Sequence, residues 1–207
     1  GRDLITWATA EFIAQEELDR DHGFWWSPDG THIAFQQTDS RVIAEYPIVH
    51  QGKDGIDIEQ HRYPFAGGPN ATVRLGVVEL ATGATAWMDL GADTDIYLAR
   101  VAWRPDGVLT ATLLSRDQQT ARLLVFDAAG ASRCLIEEHQ QPWLNLDSGL
   151  RFLKSGEILL TAERTGFRHA YLYDGEGGLV RQVTSGDWAV TSVVHVDEDR
   201  RLLYFTA

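Results

Sequence analysis

The residues best suited to chemistry are two adjacent carboxylates, Glu16 and Glu17, followed by Asp19 and Asp21 and then by an aromatic run, Phe24-Trp25-Trp26. A carboxylate pair of this kind offers a seat to a cation. The α-amino group of a peptide has a pKa near 7.7–8.0, is mostly protonated at neutral pH, and suits such a seat. At about 4 Å and an effective dielectric near 20, each carboxylate supplies a gross attraction on the order of 4 kcal/mol. Desolvation removes much of that gain. The plainer reading of such a pair is a solvated acidic helix face. Against it, Glu17 falls on the same helical stripe as Ala10, Ile13, Ala14 and Leu18, where an unpaired carboxylate is costly.

Other chemistries find little support. No serine is framed as Gly-x-Ser-x-Gly, so the nucleophile elbow of an α/β-hydrolase is missing from this stretch. Seven histidines (His22, His32, His50, His61, His139, His169 and His195) lack metal-ligand spacing, Cys134 stands alone, and there is no Gly-x-x-x-x-Gly-Lys. Neither a metal nor a cofactor is expected. The net charge of −12 argues against nucleic acid, which needs a basic surface. No apolar run approaches the roughly 18 residues that span a bilayer.

The elements that must position the carboxylates divide into two kinds. Ala8 to Arg20 has no Gly or Pro and reads as a short helix, within an N-terminal segment taken as 8–22. From Phe24 onward strands dominate, in four units of similar grammar. Trp26-Ser27-Pro28-Asp29-Gly30 and Trp103-Arg104-Pro105-Asp106-Gly107 are hairpin turns in which Pro fixes φ and Asp-Gly closes the turn. Lys154-Ser155-Gly156 and Asp197-Glu198-Asp199 occupy the corresponding places. Each of the first three hairpins is followed by a second, turning at Gly83, Gly130 and Gly178, 47 and 48 residues apart. Four strands recurring at about 40–50 residues is the signature of propeller blades.

The expected fold is therefore all-β: a β-propeller fragment of about three to four four-stranded blades with one short helix near the N-terminus. The blades are placed at 23–90 (with an insertion at 40–71), 98–137, 148–184, and 190–207 as the start of a fourth. A meandering β-sandwich is the alternative. Propellers close with four to eight blades, so the chain, which opens on Gly1 and stops in a strand at Ala207, is expected to be part of something longer. Its uncovered sheet edges and faces predict self-association.

Two stretches resemble the propeller domain of the dipeptidyl peptidase IV family of prolyl-oligopeptidase-type serine peptidases. One is Ala10-Glu11-Phe12-Ile13-Ala14-Gln15-Glu16-Glu17-Leu18-Asp19-Arg20 with Gly23-Phe24-Trp25-Trp26-Ser27-Pro28-Asp29-Gly30. The other is Ile58 to Val77, centred on Arg62-Tyr63-Pro64-Phe65-Ala66-Gly67-Gly68-Pro69. Gly166-Phe167-Arg168-His169-Ala170-Tyr171-Leu172-Tyr173 is a third, weaker match.

The resemblance implies a parent with an eight-bladed propeller capping a C-terminal α/β-hydrolase domain. That domain carries the serine, aspartate and histidine beyond residue 207, so no catalytic residue is assigned within the chain. It also implies that Glu16 and Glu17 bind the free N-terminus of a peptide substrate, limiting release to Xaa-Pro or Xaa-Ala dipeptides. Two alternatives stand beside this one, a stand-alone propeller scaffold and a tripeptidyl peptidase of the same superfamily. The compartment, bacterial periplasm or cytoplasm, is left open. Asn70-Ala71-Thr72 matches a glycosylation sequon.

Overall fold

The computed structural model describes residues 4–52, 55–146 and 149–207. Ser148, where the third expected blade begins, lies outside the described residues. In chain order the elements are β1 (Ile5–Trp7), α1 (Phe12–Glu17), β2 (Phe24–Trp26), β3 (His32–Asp39), β4 (Glu45–Gly52), β5 (Gly55–Arg62), β6 (Thr72–Glu79) and β7 (Thr85–Trp87). There follow β8 (Ile96–Trp103), β9 (Leu109–Ser115), β10 (Thr120–Phe126), β11 (Ser132–His139), β12 (Arg151–Phe152), β13 (Ile158–Ala162), β14 (His169–Tyr173), β15 (Leu179–Gln182), β16 (Ser192–Asp197) and β17 (Leu202–Thr206).

The sheets are antiparallel meanders of four strands, ordered β11-β10-β9-β8 and β12-β13-β14-β15, with a final pair β16-β17. The first sheet runs β1-β3-β6-β7, and β2 also pairs with β3. It counts five strands because one edge of β3 is covered in two pieces: β1 pairs with Gln37–Asp39 and β2 with Ile33–Phe35. The first turn shows why the sequence bends there. Ser27 Oγ donates to Asp29 Oδ1 at 2.6 Å, the Thr31 amide donates to the same oxygen at 3.0 Å, and Gly30 takes φ +71°. Asp29 is held down to about 2 by the Ser27 hydroxyl first and then by the Thr31 amide and hydroxyl.

The chain forms two compact units, one from the chain up to Ala99 with Asp127–Ser132, the other from Arg100–Phe126 and Arg133–Ala207. The second unit shows how sheets bury both faces. Ile158, Leu160, Tyr171 and Tyr173 of the third sheet pack with Leu123, Leu135 and Ile136 of the second. The alternate residues Leu159, Ala170 and Leu172 pack on Val190 and Val193, against the β16-β17 pair. Period-two alternation puts both sets in apolar cores.

The repeat is more regular than the sequence suggested. The glycine with positive φ in the third outer turn is Gly177 (+86°), not Gly178, so Gly83, Gly130 and Gly177 recur at an even interval of 47 residues. Between β3 and β6, the segment β4-β5 forms a separate hairpin, almost all of it exposed, with register Glu45↔Arg62 through Gly52↔Gly55.

Candidate functional site

The chain leaves the edge of β3 after β1 and returns before β2, and the excursion between carries α1. β3 stays hydrogen-bonded across the gap, because the Ala8 amide donates to the Gln36 carbonyl (2.8 Å) and the Gln36 amide to the Gly23 carbonyl (2.7 Å). The legs are pinched by Gly23 N–H to Ala8 O (3.0 Å) and Ala10 N–H to Asp21 O (3.1 Å). They approach so closely that a Cβ on Gly23 would stand 2.8 Å from the Thr9 nitrogen. Only glycine fits there.

The helix is shorter than composition indicated, spanning Phe12–Glu17 rather than Ala8 to Arg20. Asp19 takes φ +51°, and the amides of Leu18 and Arg20 both close on the Ala14 carbonyl. Six residues are far below the length at which a helix is stable alone, so α1 depends on its seating. Ala10, Ala14 and Leu18 are buried. Phe12 packs edge-on against Tyr63 at 5.1 Å, and Tyr63 in turn meets Phe65 and Tyr46.

Glu17 is exposed, which corrects the expectation that it shares the apolar stripe; the buried positions recur every fourth residue and pass it by. Glu16 is exposed as well, and neither carboxylate makes a hydrogen bond or ion pair with another described residue. The desolvation argument for a bound cation thus falls away. What remains is a pair of adjacent, unneutralised carboxylates in the last turn of α1, where the helix dipole also favours positive charge.

The buried carboxylate of the excursion is Glu11, which composition did not single out. It caps α1, accepting from the Ile13 amide (2.5 Å) and the Ala14 amide (2.9 Å). Burial pushes its carboxyl above the usual range, opposed by those two amides and by the charge of Arg20. Arg20, 4% exposed, donates to the carbonyls of His22 and Leu98 and to Gln36 Oε1, each at 2.8 Å, with Trp25 beside it.

Elsewhere the second unit holds a cavity of about 430 Å³ floored by Leu123, Ile136 and Leu160, with Glu138 and Arg164 paired at its wall. Among the described residues no group of three or more His, Cys, Asp or Glu is placed to hold a metal, and no helix is long and apolar enough to cross a membrane. The side-chain nitrogen of Asn70, in the sequon, is buried.

Successive four-stranded antiparallel sheets, buried on both faces where they stack and interrupted by one short helical excursion, define a β-propeller segment. The family described as "Dipeptidyl peptidase IV (DPP IV) N-terminal region" matches residues 1–207, and the chain belongs to it. Among curated relatives, venom dipeptidyl peptidase 4 of Apis mellifera is 29% identical over 98% of this chain and 29% of its own. A probable dipeptidyl peptidase 4 of Aspergillus flavus is 26% identical over 94% of this chain and 28% of its own. The crystal structure of Porphyromonas gingivalis dipeptidyl peptidase 4 superimposes with a TM-score of 0.87 at 26% identity, covering 94% of this chain and 28% of that one. The chain thus spans under a third of the length of these relatives.

Proposed function

We propose that this chain is the substrate-recognition part of a serine exopeptidase that releases N-terminal Xaa-Pro or Xaa-Ala dipeptides, and that Glu16 and Glu17 receive the free amino group of the peptide. The observation that carries the reading is the pair itself: two adjacent exposed carboxylates at the end of a short helix that interrupts the edge of β3. Membership in the dipeptidyl peptidase IV N-terminal family supports it. The relatives' greater length supports a parent with further domains rather than a stand-alone scaffold. In that parent the serine, aspartate and histidine belong to an α/β-hydrolase domain C-terminal to residue 207, and the 207-residue chain alone hydrolyses nothing. Self-association is part of the proposal, supported by exposed apolar residues such as Val194, Leu202 and Tyr204 on the β16-β17 pair.

The chemistry asked of the carboxylates is electrostatic. A protonated amine meeting both is fixed at one end, and the scissile bond is then set a fixed number of residues away. The test is Glu17→Gln in the full-length parent, assayed on an Xaa-Pro amide with a free N-terminus. Loss of a charge-assisted contact of about 1.5–3 kcal/mol lowers kcat/KM roughly 10- to 150-fold. Near-normal kcat/KM would remove the two carboxylates from substrate recognition.

A further inference from the structure

We infer that Arg20 and Gln36 are positioning residues for the carboxylate pair, forming a buried polar tie that fixes both legs of the excursion to β3; this rests on the amino-group reading of Glu16 and Glu17. The geometry is specific. Gln36 is fully buried on β3 opposite the gap between β1 and β2. Arginine only donates, so Gln36 Oε1 must face Arg20, and its Nε2 is thereby turned to donate to Thr38 Oγ1 at 2.8 Å. Thr38 Oγ1 in turn donates to the Thr9 carbonyl at 3.4 Å. Arg20 lies on the returning leg and Thr9 on the outgoing leg, so one side chain of β3 orients groups that hold both.

The carboxylates depend on the seating of α1 because they make no bond of their own to a described neighbour, and the tie adds to the burial of Ala14 and the Phe12–Tyr63 contact. Glu16 and Glu17 are exposed, and α1 has six residues. The Arg20 guanidinium also donates to the Leu98 carbonyl of β8, which carries the tie beyond the first sheet. It lends positive charge to the buried Glu11 cap as well. Removing Arg20 therefore frees the returning leg and weakens the start of α1 together. Glu16 and Glu17 then keep their charge but lose their place.

The experiment uses the full-length parent and the variants Arg20→Met, Gln36→Leu, Gln36→Glu and Glu17→Gln. It reads kcat and KM on a free-N-terminus Xaa-Pro amide, and separately the rate at which a small organophosphorus reagent labels the serine. That labelling needs no amino-group contact. A misplacement of about 1 Å can cost on the order of 100-fold, so Arg20→Met and Gln36→Leu are expected to raise KM at least tenfold. Their labelling rates are expected to stay within about twofold of wild type. Gln36→Glu keeps an acceptor for Arg20 and is expected to retain most of the affinity. If Glu17→Gln is impaired while Arg20→Met and Gln36→Leu keep normal KM, the positioning role is wrong and the amino-group reading survives. If labelling falls in parallel with affinity, the tie is a general structural element and the inference is also overturned. If Glu17→Gln is itself normal, the underlying reading fails, whatever Arg20 does.

Discussion

Replacing Gly177 by alanine probes how the sheets stack. Gly177 sits at φ +86° in the turn between β14 and β15, and a Cβ there would stand 1.9 Å from the Leu135 carbonyl oxygen on β11. Gly156, also at φ +86°, has nothing within 4 Å of its Cβ position and serves as the control. Both substitutions incur the left-handed backbone cost of about 1–2 kcal/mol. Only Gly177→Ala must also push a neighbouring strand away, an overpacking cost of about 1–3 kcal/mol. With a urea m-value of about 2 kcal/mol/M, the midpoint of Gly177→Ala should fall roughly 0.5–1.5 M below that of Gly156→Ala. The assay is urea unfolding of the 207-residue chain, followed by tryptophan fluorescence. Gly130 stands in the same relation to the Trp87 carbonyl, 2.3 Å from its Cβ position, so Gly130→Ala should behave likewise. Equal midpoints for Gly177→Ala and Gly156→Ala would mean that the outer turn does not press on β11, and the stacking described above would be wrong.

Two more expectations follow from single contacts. Phe12→Ala removes the edge-on pair with Tyr63, worth about 0.5–1.5 kcal/mol beyond area burial, and should raise KM in the parent roughly two- to tenfold with kcat unchanged; an unaltered KM would show that the aromatic cluster does not brace α1. Asp29 has its folded pKa lowered to about 2 from 3.8, so it lends stability above pH 3.8 and loses it as pH falls through about 2. The gap in urea midpoint between wild type and Asp29→Asn should therefore hold steady down to pH 3.8 and close toward pH 2; a gap indifferent to pH would mean that the Ser27 and Thr31 bonds do not form.

The repeat was legible in the sequence because its turns have chemistry. Ser27-Pro28-Asp29-Gly30 carries its own hydrogen bonds, and the outer turns need positive φ, so glycine marks them whatever surrounds them. The one-residue error at Gly178 arose because two glycines are adjacent and the sequence does not say which of them takes the positive φ and packs against Leu135. Glu16 and Glu17 were visible as a pair, but their environment was not. A stripe drawn at i, i+3 and i+4 gave Glu17 a buried place that a helix ending at that residue does not provide. Glu11 looked like one more acid in an acidic segment, and only the position of the helix start makes it a cap. Gln36 carried a faint signal, a polar side chain at a buried position of β3, but its partner on the excursion is 16 residues away and no local pattern links the two.

These positions point to a division of labour within one excursion. The side chains that would touch a ligand are exposed and bonded to no described neighbour, as a site for a charged guest requires, because a carboxylate already paired must first be released. The side chains that hold the segment are buried and hydrogen-bonded: Glu11 to the start of α1, Arg20 and Gln36 to its base. A longer helix could have stabilised itself through its own turns. A six-residue helix cannot, so its direction is set by contacts at its ends. If Glu16 and Glu17 receive an amino group as proposed, the direction in which they face is set largely by the buried residues Glu11, Arg20 and Gln36, and a substitution at Arg20 should disturb recognition while leaving both carboxylates in the chain.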